Sequence, residues 1–117
     1  MRLIRALILC GLAIVITVPV AQAQSAGKKV TYADIQPILK ENCMACHRPG
    51  EIAPMSLLTY EEVRPWARSV RKEVRRKSMP PWHADPNYSE FRKDISLSKE
   101  QIQLIIDWVD GGAPRGN

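Results

Sequence analysis

Apolar positions along the chain fall into four blocks of two kinds. The first block, Leu7 to Val18, is almost unbroken, with Arg2 and Arg5 ahead of it and Pro19 closing it. The other three are spaced by three and four residues: Ile35, Ile38 and Leu39; Val63, Trp66, Val70 and Val74; and Ile102, Ile105, Ile106 and Val109. That spacing gathers each set on one side of a helix. No segment alternates with the period of two that a half-buried strand requires, so the predicted fold class is all-α.

Local signals set the expected ends of these helices. A first helix starting at Thr31 would carry Pro37 in its interior, where the ring clashes and an amide hydrogen is missing. Asp34 is therefore the expected N-cap, with the helix running from Ile35 to about Asn42. Thr59 and Glu62 form a capping box for a middle helix that Pro65 should kink or restart and that Met79-Pro80-Pro81 ends. The last helix has Ser98 at the N-cap, Gln101 three residues on, and Leu97 with Ile102 as a hydrophobic staple. Gly111 and Gly112 stop it, with Pro114 beyond.

The N-terminal run is read as an export signal. It is too short for the roughly 20 apolar residues of a membrane span, and Ala21-Gln22-Ala23 offers the small-x-small pattern of a cleavage site. An uncleaved anchor is the competing reading; a lipoprotein anchor at Cys10 is disfavoured by Leu9 before it. The expected organisation is a signal peptide over 1–23, a flexible leader over 24–30 and one domain over 31–117, located in the periplasm or secreted. Cleavage removes one of the three cysteines, leaving Cys43 and Cys46, too few for a disulfide scaffold. It also lowers the formal charge of +5 by the contributions of Arg2 and Arg5, which leaves no strong case for nucleic acid as a partner.

Cys43-Met44-Ala45-Cys46-His47 carries the chemistry. Two cysteines three positions apart can each form a thioether to a haem vinyl group, with the adjacent histidine held against the iron. Such attachment needs an oxidising compartment, in keeping with an exported chain. Two other readings use the same residues. A thioredoxin-like redox pair wants a βαβ context, which is missing here. A zinc site would need Cys43, Cys46, His47 and His83 in a tetrahedral array, which the neighbouring Cys46 and His47 fit poorly.

On these residues, from about Tyr32 to Ala113, the chain resembles the class I cytochrome c family, small monohaem proteins. The resemblance implies a bundle of short helices wrapped around one covalently bound haem c, with the Ile35 and Ile102 helices crossing near its edge. It implies thioethers at Cys43 and Cys46, and His47 as the proximal iron ligand. The family's Gly-Pro-x-Leu segment is matched by Pro54 and Leu57 but not at the glycine, where Ala53 stands. Pro54 is thus the expected carbonyl acceptor for the His47 N–H, with Pro49 as the alternative. Met79, followed by prolines in the loop before the last helix, is the expected distal ligand, and His83 in the same loop is its rival. Trp82 is a candidate hydrogen-bond donor to a haem propionate, and Arg92 and Lys93 are weaker candidates to neutralise one.

The function implied is extracytoplasmic electron transfer by an Fe(III)/Fe(II) couple, in a carrier rather than an enzyme. A haem domain that binds or senses a small ligand is one alternative, and an accessory redox module of a larger oxidoreductase complex is another. The basic positions Arg68, Arg71, Lys72, Arg75 and Arg76 read either as the solvated face of an amphipathic helix or as a docking patch for an acidic redox partner.

Overall fold

A computed structural model describes residues 27–85 and 87–117. The expected signal peptide and the start of the leader lie outside the described residues. Those described form α1 (Tyr32–Asn42), α2 (Tyr60–Val63), a 3-10 turn (Arg64–Trp66), α3 (Ala67–Arg75) and α4 (Lys99–Asp110), with no strand among them. The fold is all-α. No helix among them is long and apolar enough to cross a membrane.

α1 begins three residues before the expected start, and Thr31 rather than Asp34 is its N-cap. The Asp34 carboxylate accepts the Thr31 amide at 2.8 Å and the Thr31 hydroxyl at 2.7 Å, closing one half of a capping box. Pro37 becomes the sixth helical residue and costs one helical hydrogen bond, the one its N–H would have given to Ala33. Two tertiary gains offset that loss. Tyr32 donates its amide hydrogen to the Pro114 carbonyl at 2.9 Å. Its ring is buried against Tyr60 edge-on at 5.5 Å and against Trp108 at 6.3 Å.

In the middle region Thr59 and Glu62 cap α2 reciprocally, and Pro65 sits in the 3-10 turn that leads into α3. The buried stripe is Val63, Ala67, Val70 and Val74, whereas Trp66, expected in it, is 45% exposed. Steps of three or four residues both suit a helix, so size decides. Ala67 lies beside Val109, Gly112 and Ala113 where α3 meets the end of α4, and an indole at that position would hold the two helices apart.

Ser98 and Gln101 exchange hydrogen bonds at the start of α4, the amide of Gln101 reaching the Ser98 hydroxyl at 3.2 Å and that of Ser98 reaching Oε1 at 2.9 Å. At its other end the amide of Gly112 bonds the Val109 carbonyl and that of Ala113 bonds the Trp108 carbonyl. This Schellman closure needs a positive φ at Gly112, which is +91°. Ile105 and Trp108 are the fully buried side chains of α4, while Ile102, Ile106 and Val109 are half-buried. Trp108 donates its indole N–H to the Pro114 carbonyl at 2.9 Å, the same acceptor that Tyr32 uses. The hydroxyl of Tyr60 adds a bond to the Ala113 carbonyl at 3.0 Å, so α1, α2 and α4 all meet the C-terminal tail.

Truncating Trp108 to alanine opens a cavity and removes a hydrogen bond, with an expected loss of about 3–5 kcal/mol in denaturant unfolding. Trp66→Ala, made for contrast, should cost about 1 kcal/mol or less, and equal losses would contradict this core. Asp34 gives a pH signature. Its bonds from the Thr31 hydroxyl and amide, then from Lys28, hold the carboxyl below its ordinary 3.8, at about 2. A depressed folded pKa stabilises fully above the unfolded value and is lost as pH falls through the folded one. The stability advantage over Asp34→Asn should therefore persist at neutral pH and vanish as pH drops through about 2. An advantage independent of pH would contradict it.

Candidate functional site

The end of α1 delivers the cysteine motif. Cys43 caps the helix, its amide bonded to the Leu39 carbonyl at 2.9 Å. The amides of Cys46 and His47 return to the Cys43 carbonyl at 3.1 and 2.9 Å, winding the motif into a tight turn. Arg48-Pro49-Gly50-Glu51 then reverses the chain, closed by the Glu51 amide on the Arg48 carbonyl at 3.2 Å. Proline second and glycine third, with φ +83° at Gly50, is the arrangement of a type II turn. The returning strand of loop is pinned over the motif by the Ala53 amide on the Cys46 carbonyl and the Leu57 amide on the His47 carbonyl.

Between those two pins the Met55 carbonyl lies 3.1 Å from Nδ1 of His47. The acceptor is thus Met55, and neither Pro54 nor Pro49 fills that role. A carbonyl only accepts, so Nδ1 carries the hydrogen, and in the neutral ring the lone pair belongs to Nε2.

His47 lines a cavity of about 250 Å³ together with Cys43 and Cys46. The returning loop contributes Ile52 and Pro54, and the loop before α4 contributes Met79 and Ile95. An adjoining cavity of about 240 Å³ shares Met79 and Pro80 and is bordered by Lys77, Trp82 and Ile102. Five of the expected site residues therefore meet in one space: Cys43, Cys46, His47, Pro54 and Met79. Trp82 borders the neighbouring cavity, its ring edge-on to Phe91 at 5.6 Å. His83, Arg92 and Lys93 are exposed and line neither cavity.

The two thiols differ. Cys43 is half-buried and burial, with a smaller contribution from neighbouring Cys46, pushes its thiol up to about 11. Cys46 is exposed. A thiol held protonated is the reverse of what a thioredoxin-like nucleophile needs. Among the described residues no group of three or more His, Cys, Asp or Glu side chains is gathered as a metal site, so the four zinc candidates do not converge.

The basic positions separate too. Arg71 is tied to Asp110, Nε to Oδ1 at 2.8 Å and Nη2 to Oδ2 at 3.2 Å, and Arg76 pairs with Glu73 at 2.6 Å. Those two residues are therefore partly committed within the chain. Arg68, Lys72 and Arg75 are exposed and make no ion pair among the described residues.

Sequence reasoning missed the Met55 carbonyl as the partner of His47, and Ile52 and Ile95 in the cavity lining. The Pro49-Gly50 turn was the signal available for the first two, because it sets how the chain returns. Comparison with protein-family models, with curated proteins and with solved structures finds no match.

With both thiols free, iodoacetamide at neutral to mildly alkaline pH should modify exposed Cys46 well before half-buried Cys43. Equal rates would contradict the shielded placement of Cys43.

Proposed function

We propose that this protein is an extracytoplasmic electron carrier of the cytochrome c kind. One haem c would be held by thioethers at Cys43 and Cys46, with His47 and Met79 as the iron ligands. The observation that carries the reading is that these four side chains, one of them from a loop far along the chain, share a single cavity.

The donor set suits the group. Cys43 and Cys46 present two sulfurs from one tight turn, the cavity is lined mainly by apolar side chains, and His47 has its Nδ1–H engaged by Met55. That hydrogen bond fixes the imidazole's tautomer, limits its rotation and raises the basicity of Nε2 toward a metal. The haem would supply a one-electron Fe(III)/Fe(II) couple. The chain's part is to hold the imidazole, offer the Met79 thioether and wall the cavity with Pro54 and the prolines beside Met79. Stiff prolines limit the freedom Met79 would lose in becoming a ligand. Trp82 in the adjoining cavity remains the candidate donor to a propionate.

Attachment of this kind occurs outside the cytoplasm, which agrees with the apolar N-terminal run as a signal peptide and with a periplasmic or secreted location. The raised Cys43 thiol and the absence of strands among the described residues weigh against a thiol oxidoreductase.

A second reading draws on the exposure of Met79, which is 41%. A distal ligand open to solvent is one that a small molecule can displace, as in a ligand-binding haem domain. Visible spectra of purified protein separate these. Low-spin spectra should be lost in Met79→Ala and kept in His83→Ala, and carbon monoxide should bind the reduced wild type poorly. Loss of the low-spin form only in His83→Ala would overturn the axial assignment, and ready carbon monoxide binding would favour the ligand-binding domain.

A further inference from the structure

Between the end of α3 and buried Pro80 the chain is held by a small cluster of hydrogen bonds, and exposed Met79 lies within that span. α3 ends in a Schellman closure: the amide of Lys77 bonds the Val74 carbonyl at 3.1 Å and that of Ser78 bonds the Glu73 carbonyl at 3.0 Å. The Met79 amide reaches the same Glu73 carbonyl at 3.4 Å. Such a closure needs a residue with positive φ, and glycine usually supplies it. Here Lys77 does so at φ +58°. A larger residue persists in that region only where its surroundings fix the turn by other means.

Three side chains supply those means. The Ser78 hydroxyl donates to the Glu73 carboxylate and accepts from Nε of Arg76 at 2.9 Å. Nη2 of Arg76 lies 2.6 Å from the same Glu73 oxygen, which closes the cluster on itself. Ser78 precedes Met79 directly, so the backbone is fixed up to the methionine. Beyond it the amide of Trp82 turns back onto the carbonyl of buried Pro80 at 2.8 Å. Met79 is therefore a 41% exposed side chain set between two fixed neighbours, and it lines both the cavity at the cysteine motif and the adjoining one. Packing gives so exposed a side chain little direction, and the backbone that carries it gives the rest.

We propose that Glu73 and Ser78 are positioning residues for Met79, aiming its thioether at the space beside His47 and holding the loop closed there. The proposal rests on the electron-carrier reading for the iron that the thioether would meet. A hydrogen bond to a carboxylate is stronger than one between neutral groups, so its removal should raise the population of the open loop about tenfold or more.

The test uses purified full-length wild type, Ser78→Ala, Glu73→Ala, the double variant, the conservative Ser78→Thr, and Thr31→Ala, which removes a cap at the far end of α1. Imidazole titrated into the oxidised protein competes with the Met79 thioether. Its affinity should rise about tenfold or more in Ser78→Ala and in Glu73→Ala. The double variant should match either single one within about twofold, because the two residues act through one bond. Ser78→Thr should stay near the wild type, and Thr31→Ala should shift imidazole affinity by less than about twofold while lowering the unfolding midpoint. Hydrogen exchange at the Ser78 and Met79 amides should quicken about tenfold in the first three variants alone. Unchanged imidazole affinity in Ser78→Ala, multiplying effects in the double variant, or an equal shift in Thr31→Ala would overturn the proposal. A colourless wild type refutes the carrier reading by itself. Exchange then decides the loop, which stands if Ser78→Ala quickens it and falls if the rates are equal.

Discussion

One carbonyl oxygen, that of Pro114, holds the helical framework together. It accepts the backbone amide of Tyr32 at the first turn of α1 and the indole N–H of Trp108 on α4, both at 2.9 Å. Both donors belong to buried residues, and a buried donor left without an acceptor costs more than the bond itself contributes. The tail can reach that point because α4 ends in a Schellman turn at Gly112, and Ala113 follows with φ +51°. Tyr60 on the preceding carbonyl and Arg115 on Glu61 extend the same seam. With the start of α1 fixed there, its far end is fixed as well, and that end is Cys43.

From Cys43 onward the geometry is governed by backbone hydrogen bonds rather than by side-chain packing. The motif turn, the Pro49-Gly50 reversal and the two pins at Ala53 and Leu57 together bring the Met55 carbonyl to the His47 ring. An imidazole fixed in this way presents one defined nitrogen and turns little. The cavity beside it is walled by residues from three separate segments, and among the described residues no charged side chain is buried to form it. In the proposed redox role, apolar walls would disfavour the charged form of the centre, and the thioether of Met79 would act in the same direction on the potential.

Features set by local chemistry were readable in the residues. The boxes at Thr59 with Glu62 and at Ser98 with Gln101 stand where their side chains indicate, and Pro65 breaks the middle helix. The start of α1 was not readable, because the local penalty at Pro37 is visible in the sequence while the gain from docking Tyr32 on Pro114 and Trp108 is not. The choice between Trp66 and Ala67 turned on how closely α3 approaches α4, a distance no spacing rule contains. At the site, Cys43, Cys46, His47 and Met79 announce themselves by residue type. Met55 does not, since it acts through a main-chain oxygen that any residue would carry.

The proposed function requires that both thiols of the motif turn be bonded to a single porphyrin. Intact mass and peptide mapping of the exported protein, made in a host able to install haem c, test it most directly. The predicted result is one haem added to the processed chain, carried by the peptide that contains Cys43 and Cys46, with neither thiol free. Two free thiols on an exported, folded chain from such a host would contradict it.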